Sequence, residues 1–170
     1  GNILIPPASG ELASGLSGEG RLPEPEEIVE FIDNFYSKGL PLIGKKVLIS
    51  AGPTIEEIDP VRYISNYSSG KMGFAVAEQA RNRGASVTLV AGPCALPTPQ
   101  GIRTVSCETT DEMADHVLAH LPQCNVVVMT AAVGDFSTKT ISPEKIKKDG
   151  RYSLSLKLVP NRDILAEITQ

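Results

Sequence analysis

The sequence predicts an α/β fold, a mostly parallel sheet with helices on both faces. Three observations point there. Four short apolar runs, at residues 46–50, 86–91, 102–105 and 125–130, have the length and continuity of buried strands. Two amphipathic stretches, at 70–83 and from Thr109 to about residue 121, lie where helical crossovers belong. Glycine and proline close the runs, as at Ala51-Gly52-Pro53 and Gly92-Pro93. Strand, helix and strand in this order give parallel pairing with a fixed hand of connection.

Size and charge narrow the function. At 170 residues the chain fits one domain with part of a neighbour. A formal net charge of −4 argues against non-specific nucleic-acid binding. Cys94, Cys107 and Cys124 form no CxxC pair, and three unframed thiols suit a reducing, cytoplasmic setting. His116 and His120 stand four apart, but no third ligand is near and no Glu follows His116, so they read as solvated surface histidines, and any metal ligand set stays unknown. The longest apolar run, 126–133, is too short to span a bilayer, and no signal peptide pattern is present.

In chain order, residues 1–25 do not read as the start of a domain. The stretch from Ser9 to Arg21 is rich in glycine with neither period, and reads as a loop. Glu26 and Glu27, then apolar residues at 28, 31, 32 and 35, make a short helix ending near Lys38-Gly39. Residues 40–44 are a linker. The first strand, 46–50, leads into a long loop over 52–63, of a length that is usually functional. The central helix puts Phe74, Val76, Ala77 and Ala80 on or near its buried side. Strand two, a proline-rich loop over 92–101, and a weak third strand follow. Thr109 and Glu112 fit a capping box opening the next helix. After the fourth strand comes Ala131-Ala132-Val133-Gly134-Asp135-Phe136. Small residues there let a flat ring approach the backbone, and Asp135 suits a ribose hydroxyl, a base edge, a phosphate-bound Mg²⁺, or merely a turn. Lys145, Lys147 and Lys148 form a cluster before Asp149-Gly150, a turn signal, and 152–159 alternates with strand period. A lysine-bearing flap over a polyphosphate and a solvated charged face both fit. Asn161 to Ile164 start a helix reaching residue 170. With no closing strands after it, the pattern reads as a three-layer, Rossmann-like fold with a mostly parallel sheet, truncated at the C-terminus.

The organising stretch is Ile64-Ser65-Asn66-Tyr67-Ser68-Ser69-Gly70-Lys71-Met72-Gly73, which opens the central helix after a strand. Helix N-termini carry open N–H groups and a partial positive charge, so a phosphate or carboxylate fits. Ser68 or Ser69 serves as cap, Gly70 and Gly73 admit a close neighbour, and Lys71 adds charge. An ordinary helix start, with Gly73 present only for packing, fits the same residues. A P-loop does not, because Ser65 and Met72 stand where it needs glycine and Ser or Thr.

Five motifs in one order resemble phosphopantothenate–cysteine ligase. They are Ala51-Gly52-Pro53-Thr54; Asp59-Pro60-Val61-Arg62-Tyr63-Ile64-Ser65-Asn66; Ser68-Ser69-Gly70-Lys71-Met72-Gly73; Ala131-Ala132-Val133-Gly134-Asp135; and Pro143-Glu144-Lys145-Ile146-Lys147-Lys148. Gly10-Glu11-Leu12-Ala13-Ser14-Gly15 through Gly18-Glu19-Gly20-Arg21 resembles the end of the flavin-dependent phosphopantothenoylcysteine decarboxylase. The resemblance implies residues 1–39 as the tail of that domain and 45–170 as the N-terminal and central part of the ligase. It implies ligation of 4′-phosphopantothenate with L-cysteine, driven by CTP with Mg²⁺ through an acyl-cytidylate, in a cytoplasmic homodimer with no nucleic-acid or membrane partner. By the same resemblance, Asn66 handles the acyl-cytidylate and Lys145 is the flap lysine. Lys147 and Lys148 complete its cluster, Ser68 to Lys71 bind phosphate, and Met129, Thr130, Ala131, Asp135, Lys145, Arg162, Asp163, Ile164 and Leu165 bind nucleotide. Ser14 stands where the decarboxylase family carries a catalytic cysteine, and FMN belongs to the part of that domain that is absent, so no decarboxylation is expected. A non-catalytic nucleotide-binding or assembly module is the alternative, and a dehydrogenase is disfavoured by the missing glycine fingerprint.

Overall fold

The computed structural model describes residues 3–11, 17–37, 40–150 and 153–169. Ser14, the expected helix end at Lys38, Tyr152 and the far end of the last helix at Gln170 lie outside them. The chain divides into two compact units, residues 1–41 and 42–170.

In the first unit, β1 (Ala8–Glu11) pairs antiparallel with β2 (Ser17–Arg21), where the sequence suggested only a loop. Gly10 faces Gly18 across this ladder. Backbone bonding between glycines leaves no alternating pattern to read. Helix α1 (Pro25–Ser37) follows, with Pro25 in its first turn, where the missing N–H costs nothing.

The second unit is built on a four-stranded parallel sheet. Its strands are β3 (Lys46–Ala51), β6 (Ser86–Ala91), β7 (Arg103–Ser106) and β8 (Val126–Met129), in the order β7-β6-β3-β8. Between β3 and β6 come a hairpin of β4 (Ile55–Asp59) and β5 (Arg62–Ser65) and then helix α2 (Lys71–Asn82). Helix α3 (Thr110–His120) crosses from β7 to β8. Beyond β8 lie β9 (Phe136–Thr138), β10 (Leu158–Pro160) and the short α4 (Ile164–Ile168).

Strand β3 alternates its burial between two cores. Val47, Ile49 and Ala51 pack with Val87, Leu89, Phe74, Ala77 and Ala80 under α2. Leu48 packs with Val90, Met113, Ala114, Val117 and Ile164 under α3 and α4. Helices therefore cover both faces, and the fold is the three-layer Rossmann-like one. The cap of α3 forms as expected, with Thr109 Oγ1 accepting from Glu112 N–H at 3.2 Å. Glu112 returns its bond to the Glu108 N–H at 2.7 Å, one residue before the box position.

Three local expectations change. Residues 52–63 are not a loop, since β4 and β5 pair antiparallel with a register shift between Glu57 and Asp59. The strand pattern over 152–159 yields only β10, which pairs with β9 rather than across Asp149-Gly150. That dipeptide does turn, with φ of 43° and 73°. The two histidines are half-buried, and the His120 ring nitrogen Nδ1 lies 2.8 Å from the His116 carbonyl.

Candidate functional site

The chain leaves β3 to reach β6 on one side and returns through α3 to β8 on the other. The strand order thus reverses between β3 and β8, and the crevice beyond their carboxyl ends is where open α/β sheets bind ligands. The loops 52–54 and 130–135 meet there. Ala132 N–H donates to Gly52 O at 2.8 Å, and Thr54 N–H to Ala132 O at 3.3 Å. Gly52 has φ 78°, and a Cβ on it would meet the Gly92 carbonyl oxygen at 3.0 Å.

Three of the expected nucleotide residues are built onto Ser50. Thr130 Oγ1 donates to the Ser50 carbonyl at 2.5 Å. Ser50 Oγ accepts from the N–H groups of Thr130 and Ala131 at 3.2 and 3.3 Å, and donates to Met129 Sδ at 3.6 Å. Behind the loop sits a buried polar cluster that the sequence did not announce. Thr54 Oγ1 accepts from Gly134 N–H at 2.9 Å, and Glu56 accepts from the Thr110 hydroxyl at 2.6 Å and its N–H at 3.0 Å. Asn161 Nδ2 donates to the Gly134 carbonyl at 2.8 Å. Asp135 is exposed, and its backbone carbonyl accepts from Asn161 N–H at 2.9 Å.

Asn66 reaches this loop from the end of β5. Its Nδ2 donates to the carbonyls of Ala132 and Val133 at 3.2 and 2.9 Å, so an amide carried 66 residues upstream braces the loop directly. Tyr67 and Ser69 beside it are exposed. Neither Ser68 nor Ser69 caps α2. Gly70 takes the N-cap position in the left-handed region, φ 74°, with no side-chain cap. Ser68 Oγ instead accepts from Gly70 N–H at 3.4 Å, one residue short of the helix. The first N–H groups of α2 keep no side-chain acceptor, as an anion site requires. Lys71 is exposed, and Gly73 sits against Ala51 and Thr130 at the strand ends.

The remaining candidates lie further out. Lys145, Lys147 and Lys148 are exposed on the connection between β9 and β10. That connection is tied to the hairpin by Thr138 Oγ1 donating to Glu57 O at 2.7 Å and Ser142 N–H to Ile58 O at 3.0 Å. Arg162 forms ion pairs with Glu167 and Asp115 at 2.6 and 2.7 Å, which hold its guanidinium charged, and its hydrogen bond to Glu167 lowers that carboxyl. Asp163 caps α4 through Ala166 N–H at 2.9 Å. The Ile164 side chain belongs to the core under α3, whereas Leu165 is exposed. Among the described residues no group of three or more His, Cys, Asp or Glu is placed to hold a metal, and no helix is long and apolar enough to cross a membrane.

The family model of the DNA/pantothenate metabolism flavoprotein C-terminal domain matches residues 42–170. The chain is 45% identical over 169 residues to the coenzyme A biosynthesis bifunctional protein CoaBC of Vibrio cholerae, covering 99% of this chain and 42% of that protein. It is 49% identical over 173 residues to a cysteine/cysteine sulfinic acid decarboxylase of an unknown prokaryotic organism, covering 99% of this chain and 48% of that protein. The chain thus spans under half the length of these relatives. The crystal structure of the C-terminal domain of a CoaBC protein superposes with a TM-score of 0.65 at 43% identity, covering 75% of this chain and 59% of that one.

Proposed function

Because the chain belongs to the DNA/pantothenate metabolism flavoprotein C-terminal domain family, we propose that it carries the ligase site of a coenzyme A biosynthesis enzyme, joining 4′-phosphopantothenate to L-cysteine at the expense of CTP. Residues 1–39 are then the tail of a flavin-dependent decarboxylase domain, and FMN belongs to that domain rather than to this site. The enzyme works in the cytoplasm as a homodimer. Exposed Phe136, Ile141 and Leu158 around β9 and β10, and three free cysteines, support that reading.

A carboxylate is a poor electrophile. The 4′-phosphopantothenate carboxylate attacks the CTP α-phosphorus, pyrophosphate leaves, and the cysteine amine then displaces CMP and gives up a proton. The chain's residues fit this division of work. The open N–H groups of α2 with Lys71 suit a phosphate, and the 129–135 stretch offers a small-residue floor for the nucleotide. The lysines at 145, 147 and 148 supply positive charge for a triphosphate. A Mg²⁺ accompanying the nucleotide would be held chiefly by its phosphates, exposed Asp135 is a carboxylate that fits beside it, and the ion would neutralise phosphate charge.

The observation that carries the reading is Asn66 joined to the 131–135 loop. Serving the acyl-cytidylate exchanges one of its two loop bonds for the carbonyl oxygen of the intermediate. A neutral amide does this without repelling phosphate. An aspartate would repel both the phosphate and the two loop carbonyls. In the full-length protein, Asn66→Asp should lower amide formation by about 10²–10³-fold, the scale for losing one such donor. An unchanged rate would sink the assigned role. Calorimetric titration with CTP and Mg²⁺, against ATP and NAD, tests the nucleotide, and selective binding of NAD would overturn the reading.

A further inference from the structure

Asp59 opens one of the motifs without a role of its own there, yet its carboxylate accepts five hydrogen bonds. It sits wholly buried at the turn between β4 and β5. One oxygen accepts from the N–H groups of Val61 and Arg62, both at 2.9 Å, which closes the turn. The other accepts from Arg62 Nε at 3.0 Å, from Arg62 Nη2, and from the N–H of Ile146 at 3.0 Å. Arg62 Nη2 then donates to the Ile146 carbonyl at 2.8 Å. Both main-chain polar groups of Ile146 are thus gripped by one ion pair on another element, and the neighbours of Ile146 in sequence are Lys145 and Lys147.

Closing the turn needs one oxygen only. An asparagine would do that equally well. The second oxygen and the second arm of Arg62 are spent on the flap, and a buried carboxylate is tolerated because all its lone pairs are met by charged or backbone donors. Building on the ligase reading, we infer that Asp59 is a positioning residue of the reaction, fixing the flap through Ile146 so that Lys145 and its neighbours face the phosphates. Asn66 leaves the other end of the same hairpin. The two groups that act on the nucleotide are therefore held from one rigid piece.

The test uses Asp59→Asn in the full-length protein, since it keeps the turn acceptor and loses the flap acceptor. Hydrogen exchange by mass spectrometry should rise over residues 143–148 and stay unchanged in β3 and β6. The kcat for amide formation should fall about 100-fold, as for a misplaced reacting group, with KM for CTP little altered. Ile146→Pro removes the flap donor and leaves the ion pair whole, while also restricting the backbone at Lys145; it should reproduce both the raised exchange over 143–148 and the kcat loss. Unchanged exchange over 143–148, or a kcat that survives its opening, overturns the inference. If Asp59→Asn does not fold, Arg62→Lys, which loses the fork that grips the Ile146 carbonyl and keeps a charge beside Asp59, decides with Ile146→Pro: retained kcat in either overturns the inference, and lost kcat with raised exchange over 143–148 in both upholds it. A wild-type protein releasing no pyrophosphate from CTP with phosphopantothenate would overturn the ligase reading and with it the catalytic role, while the exchange arm still reports whether Asp59 grips the flap.

Discussion

A Cβ on Gly73 would lie 2.5 Å from both Ala51 Cβ and Thr130 Oγ1. No side chain fits between α2 and the ends of β3 and β8, so hydrogen is what lets the helix start over the crevice. Gly73→Ala should destabilise the fold by about 1–3 kcal/mol, the usual cost of forcing atoms into a packed site. Equilibrium urea unfolding measures this, and an unchanged midpoint would show that the helix can lift away. Single residues were unevenly legible. The sequence offered both meanings for Gly73, an anion's neighbour and a packing contact, and the structure shows the second. Asn66 stood out in a motif. Ser50 and Thr110 did not, because a hydroxyl whose partner lies 80 residues away, or 54 in the case of Thr110 and Glu56, leaves no local pattern.

Elements were legible where burial sets their period. Strand β6 runs Ser86–Ala91, as its apolar run suggests, and α3 starts at its cap. The β4–β5 hairpin was hidden because Glu56 and Asp59 occupy inward positions. Each is satisfied by a partner far along the chain, Thr110 for one and Ile146 for the other, so a buried strand reads as a polar loop. The hairpin also responds to acid. The Arg62 guanidinium beside Asp59 holds its carboxyl far below the usual carboxylate range, burial opposes this, and the Ile146 and Val61 N–H groups add to the lowering. A lowered carboxyl contributes stability that is full above its unfolded value of about 3.9 and is lost as pH falls through the folded value. The melting temperature gap between wild type and Asp59→Asn should therefore narrow as pH drops below about 4. A gap constant over that range would show that the carboxylate is not coupled to folding.

At the scale of the whole molecule, among the described residues both hydrophobic cores draw on positions beyond 41. A chain of residues 42–170 should accordingly unfold in one cooperative transition in denaturant, with circular dichroism and fluorescence agreeing. Two separated transitions would contradict a core shared by α2, the sheet and α3. The sheet, its two covered faces and the place of the crevice follow from strand and helix spacing, which the chain carries openly. The pairing of β9 with β10, some 20 residues apart, does not, since three-residue strands carry too few side chains to mark a period. The tight seating of α2 on the strand ends has a consequence for traffic through the crevice. Helix α2 is anchored in the core it shares with β3 and β6, whereas the connection between β9 and β10 is held to the hairpin by a few hydrogen bonds. On the ligase reading, exchange of ligands then falls to the connection that bears the lysines, and the helix keeps its geometry because it is never asked to make way.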